Sequence, residues 1–533
     1  MSPFDGGTES HLSMNRVNGW LENCLSSHKR CAVALVSSDN NPPLPTRVLD
    51  LGFRESDPIR LVETRGEKGH YTCLSYCWGN SAFIKTTKAT IGRYQENIGF
   101  DELPPTFQDS VKITRGLGIR YLWIDALCIV QDDAKDWKRE AVRMAHVYQN
   151  SCLTISATWA DSPKRGLFSS RTILEEEPFI SRVFEHAEAD GTEMIQDEDS
   201  PVLARGWTFQ ERLLSPRILH FRKWEIGWEC TESIACECHF STYAKNTELF
   251  EHASRFERLK LAFSRYIAGE EAAGIVPEKL WKMLVGSYSS RNLSIKSDRL
   301  VAISGVADLI QRRTGWQYLA GLWKETLLQD LGWAAGVSSK IAKLKGFGSP
   351  HWQAAEQFER RFPTWSWASI DESVSWPGEQ WLTLRVKDTD WMHHAQVIDA
   401  GCTLATSSPT GPVLDGFIDM ECPLAPIRYT ELRILTTLNR YNSSVVTLDQ
   451  GISASPYRKD GPFYLAPLCT IDSWQQVALI LMAAKCSPNC MVRIGSCWWG
   501  YNEEASASCL ERMIINWKWK LAFMKKRQRI RIV

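Results

Sequence analysis

No stretch of this chain is apolar for long enough to cross a membrane. The longest run, Val477-Ala-Leu-Ile-Leu-Met-Ala-Ala484, falls well short of the ~20 residues that a spanning helix needs. Net charge is missing too. The 62 basic and 62 acidic residues cancel, which removes the electrostatic reason to expect nucleic acid or a membrane surface as a general partner. The chain has no Gly-x-x-x-x-Gly-Lys-Ser/Thr, no Gly-x-Gly-x-x-Gly, no His-Glu-x-x-His and no Gly-x-Ser-x-Gly. Nucleotide triphosphatase, dehydrogenase, zincin and esterase readings therefore lose their usual support. Internal repeats and low-complexity segments are also absent. The first residues, Met1-Ser-Pro-Phe-Asp-Gly-Gly7, are polar with no apolar run behind them, so no secretory signal is read and a cytoplasmic location is expected.

What remains is globular in composition. Hydrophobic residues make up 44% and charged residues 23% of 533, which predicts two to four domains with ample core. The 16 cysteines are scattered, and in a long intracellular chain they read as reduced, mostly buried thiols rather than a disulfide framework. The 23 tryptophans point to large aromatic anchors in the core or around a pocket.

In chain order, residues 1–66 read as an N-terminal leader with a helix around Trp20-Leu-Glu-Asn-Cys-Leu25 and a strand at Arg47-Val-Leu-Asp-Leu51. Cys24, His28 and Cys31 can share a helical face, but no fourth ligand of matching spacing lies nearby. They are read as part of a structural helix, and no metal site is assigned. Residues 67–240 alternate strand and helix. His70-Tyr-Thr-Cys-Leu-Ser-Tyr-Cys-Trp-Gly79 is a strand running into a glycine turn, Leu103 to Gly118 a helix with Pro105 in its first turn, and Tyr121-Leu-Trp-Ile-Asp125 a strand. A helix from about Ala134 to Asn150 and a strand, Cys152 to Ala157, follow. That alternation implies an α/β unit with a parallel sheet. The acidic stretch Glu175 to Asp199 reads as an insertion or mobile loop, and Ile218 to Cys230 as a hairpin. Cys230, Cys236, Cys238 and His239 fit no common zinc module and are read as buried or loop thiols. Residues 241–345 are predicted helix-rich, with helices at Phe250–Tyr266, Pro277–Tyr288, Ser297–Ile310 and Leu319–Trp333. Residues 346–533 are predicted β-rich. The end, Lys525 to Val533, suits a basic tail, a localisation signal or an edge strand.

Two places carry candidate chemistry. Asp125 ends an apolar strand, where open α/β sheets put their ligands. On the following helix Trp137, Ala141, Met144 and Tyr148 form a buried stripe, with Glu140 about 60° from Trp137 at its edge. Partial desolvation there would make Glu140 an acid, base or charge stabiliser. The other reading is a surface glutamate paired with Arg139, Arg143 or the helix dipole. The second place is Arg205-Gly-Trp-Thr-Phe-Gln-Glu211. Thr208 and Glu211 have the spacing of a capping box, whereas Arg205 and Gln210 have no such local role.

Leu74-Ser-Tyr-Cys-Trp-Gly79, Leu103-Pro-Pro-Thr-Phe107, Leu117 to Asp132, Met144 with Tyr148, and Gly206-Trp-Thr-Phe-Gln-Glu211 together resemble the fungal heterokaryon-incompatibility (HET) domain family over about residues 71 to 211. Ser297 to Gly305 and Pro363-Thr-Trp-Ser-Trp-Ala-Ser369 resemble the C-terminal regions of long HET proteins. The resemblance implies nonself recognition and regulated cell death. It also implies a distant likeness to TIR domains, hence a TIR-like parallel sheet flanked by helices and hydrolysis of NAD by a helix glutamate. By that likeness Glu140 is the catalytic residue, although it follows Trp137 by three residues where TIR enzymes use four. Ser75, Tyr76, Trp78, Gly79, Asp125, Arg205, Trp207, Gln210 and Glu211 are the substrate-binding set. NAD would be a substrate, and no resident cofactor is implied. The alternative is a non-enzymatic module that self-associates or binds a protein partner.

Overall fold

Short apolar strands separated by amphipathic helices set the order of the first sheet. The computed structural model describes residues 7–33, 41–169, 200–223, 225–237, 255–270, 274–335, 362–376, 391–428, 431, 445–448, 462–471, 475–483, 490–500, 518, 520–522, 524 and 526–533. The acidic stretch Glu175 to Asp199, Cys238, His239, Lys525 and the first residues of the helix expected from Phe250 lie outside them. The chain divides into two compact units, Met1–Glu270 with Arg291–Leu293, and Glu271–Ser290 with Ser294–Val533.

The first unit begins with helices α1 (His11–Ser27) and α2 (Lys29–Val33). Its strands are β1 (Arg47–Asp50), β2 (Arg60–Glu63), β3 (Tyr71–Ser75), β4 (Tyr121–Trp123), β5 (Leu153–Ser156), β6 (Arg217–Phe221), β7 (Ile226–Cys230) and β8 (Ile234–Cys236). They form one eight-stranded sheet in the order β2-β1-β4-β3-β5-β6-β7-β8. The middle four, β4-β3-β5-β6, are parallel, and antiparallel pairs flank them on both sides. The sheet is thus mixed rather than wholly parallel. Its parallel centre follows from the connections: α3 (Ile91–Glu96) and α4 (Pro105–Gly116) join β3 to β4, α5 (Asp125–Cys128) and α6 (Ala134–Gln149) join β4 to β5, and α7 (Gly206–Leu214) precedes β6. A last helix, α8 (Arg255–Ile267), completes the unit.

Local chemistry explains these elements. Helix α4 starts on Pro105 and buries Phe107, Val111 and Ile113. Gly118, at φ +70°, lets the chain turn out of it. In α6 the Asp133 side chain accepts from the Lys135 amide at 3.0 Å, capping the helix. Its buried face includes Ala141, Met144, Val147 and Tyr148. Tyr148 stacks edge to face on Trp123 of β4 with ring centroids 5.7 Å apart, and burial of each such side chain contributes roughly 1.5–3 kcal/mol. The strand expected over Tyr121 to Asp125 stops at Trp123. The Asp125 carboxylate accepts from its neighbour's amide, Ala126 N, at 2.7 Å, and the chain turns into α5. A short acidic side chain bonding local backbone competes with ladder pairing in this way.

The second unit holds α9 (Pro277–Ser289), α10 (Ser304–Thr314), the hairpin β9 (Tyr318–Leu319) with β10 (Leu322–Trp323), α11 (Leu327–Asp330) and the pair β11 (Ala334–Ala335) with β12 (Val374–Ser375). The helix expected over Leu319 to Trp333 is instead this hairpin and a single turn. Ala320 and Gly321 adopt φ of 45° and 97°, and the Trp281 and Trp367 indoles both donate to the Gly321 carbonyl, at 2.8 and 2.9 Å. The segment Ser297 to Ile310 is helical in the α sense only from Ser304. A nine-stranded sheet follows: β13 (Trp391–His393), β14 (Gln396–Leu404), β15 (Val413–Cys422), β16 (Ala425–Ile427), β17 (Val445–Leu448), β18 (Phe463–Ile471), β19 (Gln475–Ala483), β20 (Cys490–Gly500) and β21 (Gln528–Ile532). The β-rich expectation is met. Strand β21 is not an edge, because it lies between β20 and β15. Of the twelve free cysteines among the described residues, ten are buried. Cys236 is the departure from the reduced-thiol reading, being disulfide-bonded.

Candidate functional site

In the order β4-β3-β5-β6 the chain steps from β3 to β4 on one side, then crosses back to β5 on the other. Ligands of open α/β sheets bind outside the carboxyl ends of the strands at such a reversal. Ser75 of β3, Ser156 of β5 and His220 of β6 are in register across it. They form a polar row at the carboxyl ends, joined by Thr208 and Arg212 of α7 around a cavity of about 10 Å³. That is room for about one water.

Beside the row lies a cluster of ionisable groups, of which Tyr76, Tyr148 and Glu211 are buried and Asp125 and Arg205 half-buried. Glu211 points from α7 toward Ser75 and Tyr148. Burial raises its pKa, and the Ser75 hydroxyl, Arg205 and Tyr148 pull it back only part of the way, leaving it at about 7. Asp125 is raised by burial as well, against the hydrogen bond from Trp78, the nearby Tyr76 phenol and the charge of Arg205. The Trp78 indole Nε1 donates to Asp125 Oδ2 at 2.8 Å. Arg205 donates to the Tyr76 carbonyl. The Tyr76 phenol, 3% exposed, has no hydrogen bond of ordinary geometry. Its pKa is driven far up, by burial first and by Asp125 second. Two carboxyls, one guanidinium and two phenols thus share a site largely withdrawn from the surface, where Coulomb interactions are stronger than in bulk water.

Aromatic rings wall this cluster. Tyr76 meets Phe107 edge to face at 5.1 Å, Trp78 meets Phe83 at 5.6 Å, and Lys85 Nζ lies 4.3 Å from the centre of the Trp78 ring. Gly79 closes the turn after β3 at φ +61°, and a Cβ there would come within 2.7 Å of Ser162 Cβ.

Residues 71–211 match the family model of heterokaryon incompatibility protein (HET). The HET segment opens on the first residue of β3 and closes on Glu211. No curated protein and no solved structure matches the chain.

Within the HET segment the structure brings together Ser75, Tyr76, Trp78, Asp125, Arg205 and Glu211. Trp207 is partly buried and packs edge to face on Trp137 at 6.4 Å, and Gln210 is buried. Glu140 keeps different company. It is 3% exposed, so it is no surface residue. Its Oε1 accepts from Arg139 Nε at 2.9 Å and lies 3.8 Å from Arg143. Asp136 beside it is buried against Arg47 and Arg139 and accepts from Val130 N at 2.8 Å. Expected capping by Thr208 and Glu211 does not occur, because α7 begins at Gly206 after Arg205. Thr208 is inside the helix and donates its hydroxyl to the Val202 and Arg205 carbonyls at 2.6 and 2.8 Å. That leaves Glu211 free to face the sheet.

Sequence reasoning missed a second buried network on the other side of the polar row. Glu229 of β7 pairs with Arg212 at 2.6 Å, Lys260 of α8 at 2.9 Å and His220 Nε2 at 3.2 Å. Burial pushes Glu229 up, but Arg212, Lys260 and His220 more than offset it and hold it well below the usual range. Thr158 Oγ1 lies 3.1 Å from His220 Nδ1, completing a hydroxyl, imidazole and carboxylate line. Burial depresses His220 to about 4, so it is a weak base. Alternation along β6 and β7 puts His220 and Glu229 on the sheet; nothing local in the sequence pairs them. A larger hollow, about 580 Å³, is lined by Glu55, Phe100, Asp101, Lys112, Arg115 and Gly116. It lies at the last turns of α4, hence toward the amino ends of the parallel strands.

Proposed function

We propose that this chain acts in heterokaryon incompatibility as an effector of regulated cell death, and that its HET segment hydrolyses the nicotinamide–ribose bond of NAD. The observation that carries the reading is the pair of carboxyls, buried Glu211 and half-buried Asp125, set around Arg205 at the sheet reversal. A glycosidic centre needs one carboxylate to stabilise positive charge on the sugar and one group to take a proton. Water adds to ribose C1 while the bond to nicotinamide breaks; nicotinamide leaves neutral with the bonding pair, and the proton of water passes to a carboxylate. Glu211, with a pKa of about 7, suits that proton, and the charge of Asp125 suits the oxocarbenium-like state. Arg205 suits the diphosphate, and Tyr76, Trp78 and Gly79 border the bound base. Glu140, held by Arg139 and Arg143, is assigned to support from the neighbouring helix. Substrate binding requires the site to open, since the cavity of about 10 Å³ admits no nucleotide.

Nicotinamide release from NAD by concentrated full-length protein tests this. The Glu211→Gln and Asp125→Asn proteins are each expected to lose about 100-fold or more, while Glu140→Ala keeps most turnover. Complete loss in Glu140→Ala alone would return the catalytic role to Glu140.

A second reading is favoured by the closed cavity and by the two arginines on Glu140: a non-enzymatic module that acts by self-association or a protein partner, with the C-terminal unit as sensor. In that case toxicity on expression survives all three substitutions, and no nicotinamide is released.

A further inference from the structure

Four soft donors from three elements of the first unit converge beneath the sheet. Cys24 is in the last turn of α1, His28 is its C-terminal cap, Cys31 is in α2, and Cys230 ends β7. One ligand atom from each lies within 4.8 Å of all the others. His28 Nδ1 is 3.4 Å from Cys230 Sγ and 3.9 Å from Cys31 Sγ. Zinc bonds of about 2.3 Å to sulfur and 2.0–2.1 Å to nitrogen at tetrahedral angles require about 3.6 Å between such atoms. The two contacts straddle that value.

The surroundings supply a second, independent observation. Arg217 of β6 is fully buried. Among the described residues its guanidinium has no carboxylate partner; it donates to Cys24 Sγ at 3.2 Å and to the Cys31 and Cys152 carbonyls at 3.1 and 3.3 Å. A buried cation needs an anion. Three thiolates and a neutral imidazole around a divalent cation carry a net charge of −1, which Arg217 balances. The other two sulfurs also have polar neighbours: the Ser233 amide donates to Cys230 Sγ at 3.2 Å, and Thr231 Oγ1 is 2.9 Å from Cys31 Sγ. Outer contacts of this kind orient thiolate ligands. Three thiolates this close repel one another unless a cation holds them.

We infer that Cys24, His28, Cys31 and Cys230 form a structural zinc site of Cys₃His type that fastens the N-terminal helix pair to the sheet of the HET-containing unit. The spacing Cys-x₃-His-x₂-Cys gives three ligands from one local segment. The fourth arrives from β7, 199 positions after Cys31, which is why the triplet looks incomplete in sequence. All four protein donors leave no open position, so the ion is structural rather than catalytic.

Full-length protein purified without chelator, then analysed for metal, tests the site. The expected result is that Cys230→Ser loses about one zinc equivalent per chain relative to the parent, while Cys402→Ser, in the other unit, loses none. His28→Ala, at a half-buried position, is expected to keep the fold and to release zinc to a competing chelator at least about tenfold more readily. Should Cys230→Ser fail to fold, the parent protein loaded with Co²⁺ still decides: tetrahedral thiolate ligation gives intense visible d–d bands and a sulfur-to-cobalt charge-transfer band. Equal zinc in the parent and Cys230→Ser, no such cobalt bands, or a disulfide among Cys24, Cys31 and Cys230 in place of metal would each overturn the assignment.

Discussion

At Glu211 the protein spends stability on a carboxyl that is hard to ionise. Its pKa is about 7 in the folded chain against 4.5 for a free glutamate side chain, so the folded state holds the proton more tightly than the unfolded one. Between about pH 4.5 and 7 the folded state binds more protons, and stability falls as pH rises through that window. It is flat below and above. The shift corresponds to about 3 kcal/mol. Glu211→Gln removes the titration, so its stability relative to the parent is expected to improve by up to that amount between pH 4.5 and 7.5, read by urea unfolding at several pH values. A constant difference across that range would mean that Glu211 stays ionised throughout. His220 runs the other way. Held at about 4 against 6.5 by burial, it stays neutral when folded, and stability is lost as pH falls from about 6.5 toward 4. His220→Gln is expected to flatten that acid limb. These roles were only partly legible. Asp125 was readable as a carboxylate ending a strand. Glu211 carried a misleading signal, because Thr-x-x-Glu is the spacing of a cap and only the true helix start at Gly206 shows that Thr208 sits inside. His220 and Glu229 gave none, since their pairing depends on hairpin register.

At the scale of elements the site rests on how β3 ends. The strand stops at Ser75, Tyr76 and Trp78 turn toward Asp125, and Gly79 takes φ +61° with Ser162 packed against it. A side chain there meets both a disfavoured backbone conformation and a contact of 2.7 Å to Ser162 Cβ. Gly79→Ala is therefore expected to cost about 1–3 kcal/mol and to move Trp78 away from Asp125. Chemical denaturation measures the first and tryptophan fluorescence the second; an unchanged midpoint would show that the turn can be rebuilt without strain. The strands and helices around this turn were legible because each shows its period. Phe107 and Val111 mark α4, and Ala141, Met144 and Tyr148 mark α6. Elements of one or two turns were not legible. The stretch from Leu319 to Trp333 is rich in helix formers, yet the positive φ of Ala320 and Gly321 folds it into a hairpin whose turn carbonyl is held by two distant indoles. Tertiary partners of that kind outweigh local propensity.

On the scale of the molecule, the HET segment is less than a folding unit. Residues 71–211 contain β3, β4 and β5, whereas β1, β2, β6, β7 and β8 of the same eight-stranded sheet lie outside the match. Cut out alone, the segment would expose the backbone edges of β4 and β5, which invite intermolecular pairing. Adding the flanks is still not enough, because three residues return from far along the chain. The Gly206 amide donates to the Asn292 carbonyl and the Asn292 amide to the Ala204 carbonyl, both at 2.7 Å, and Leu293 packs on Gly206. Arg291 donates to the Leu203 carbonyl and lies 5.2 Å from the Phe209 ring. These contacts anchor the start of α7, the helix that carries Glu211. Two backbone hydrogen bonds and one buried leucine contribute roughly 3–5 kcal/mol, equivalent to roughly 10 °C in a unit of this size. A 71–211 fragment is accordingly expected to aggregate. A 1–270 fragment is expected to fold and to melt about 10 °C below the corresponding transition of the full chain. Calorimetry on the two proteins checks the difference, and equal melting temperatures would show that residues 291–293 do not hold α7 in place.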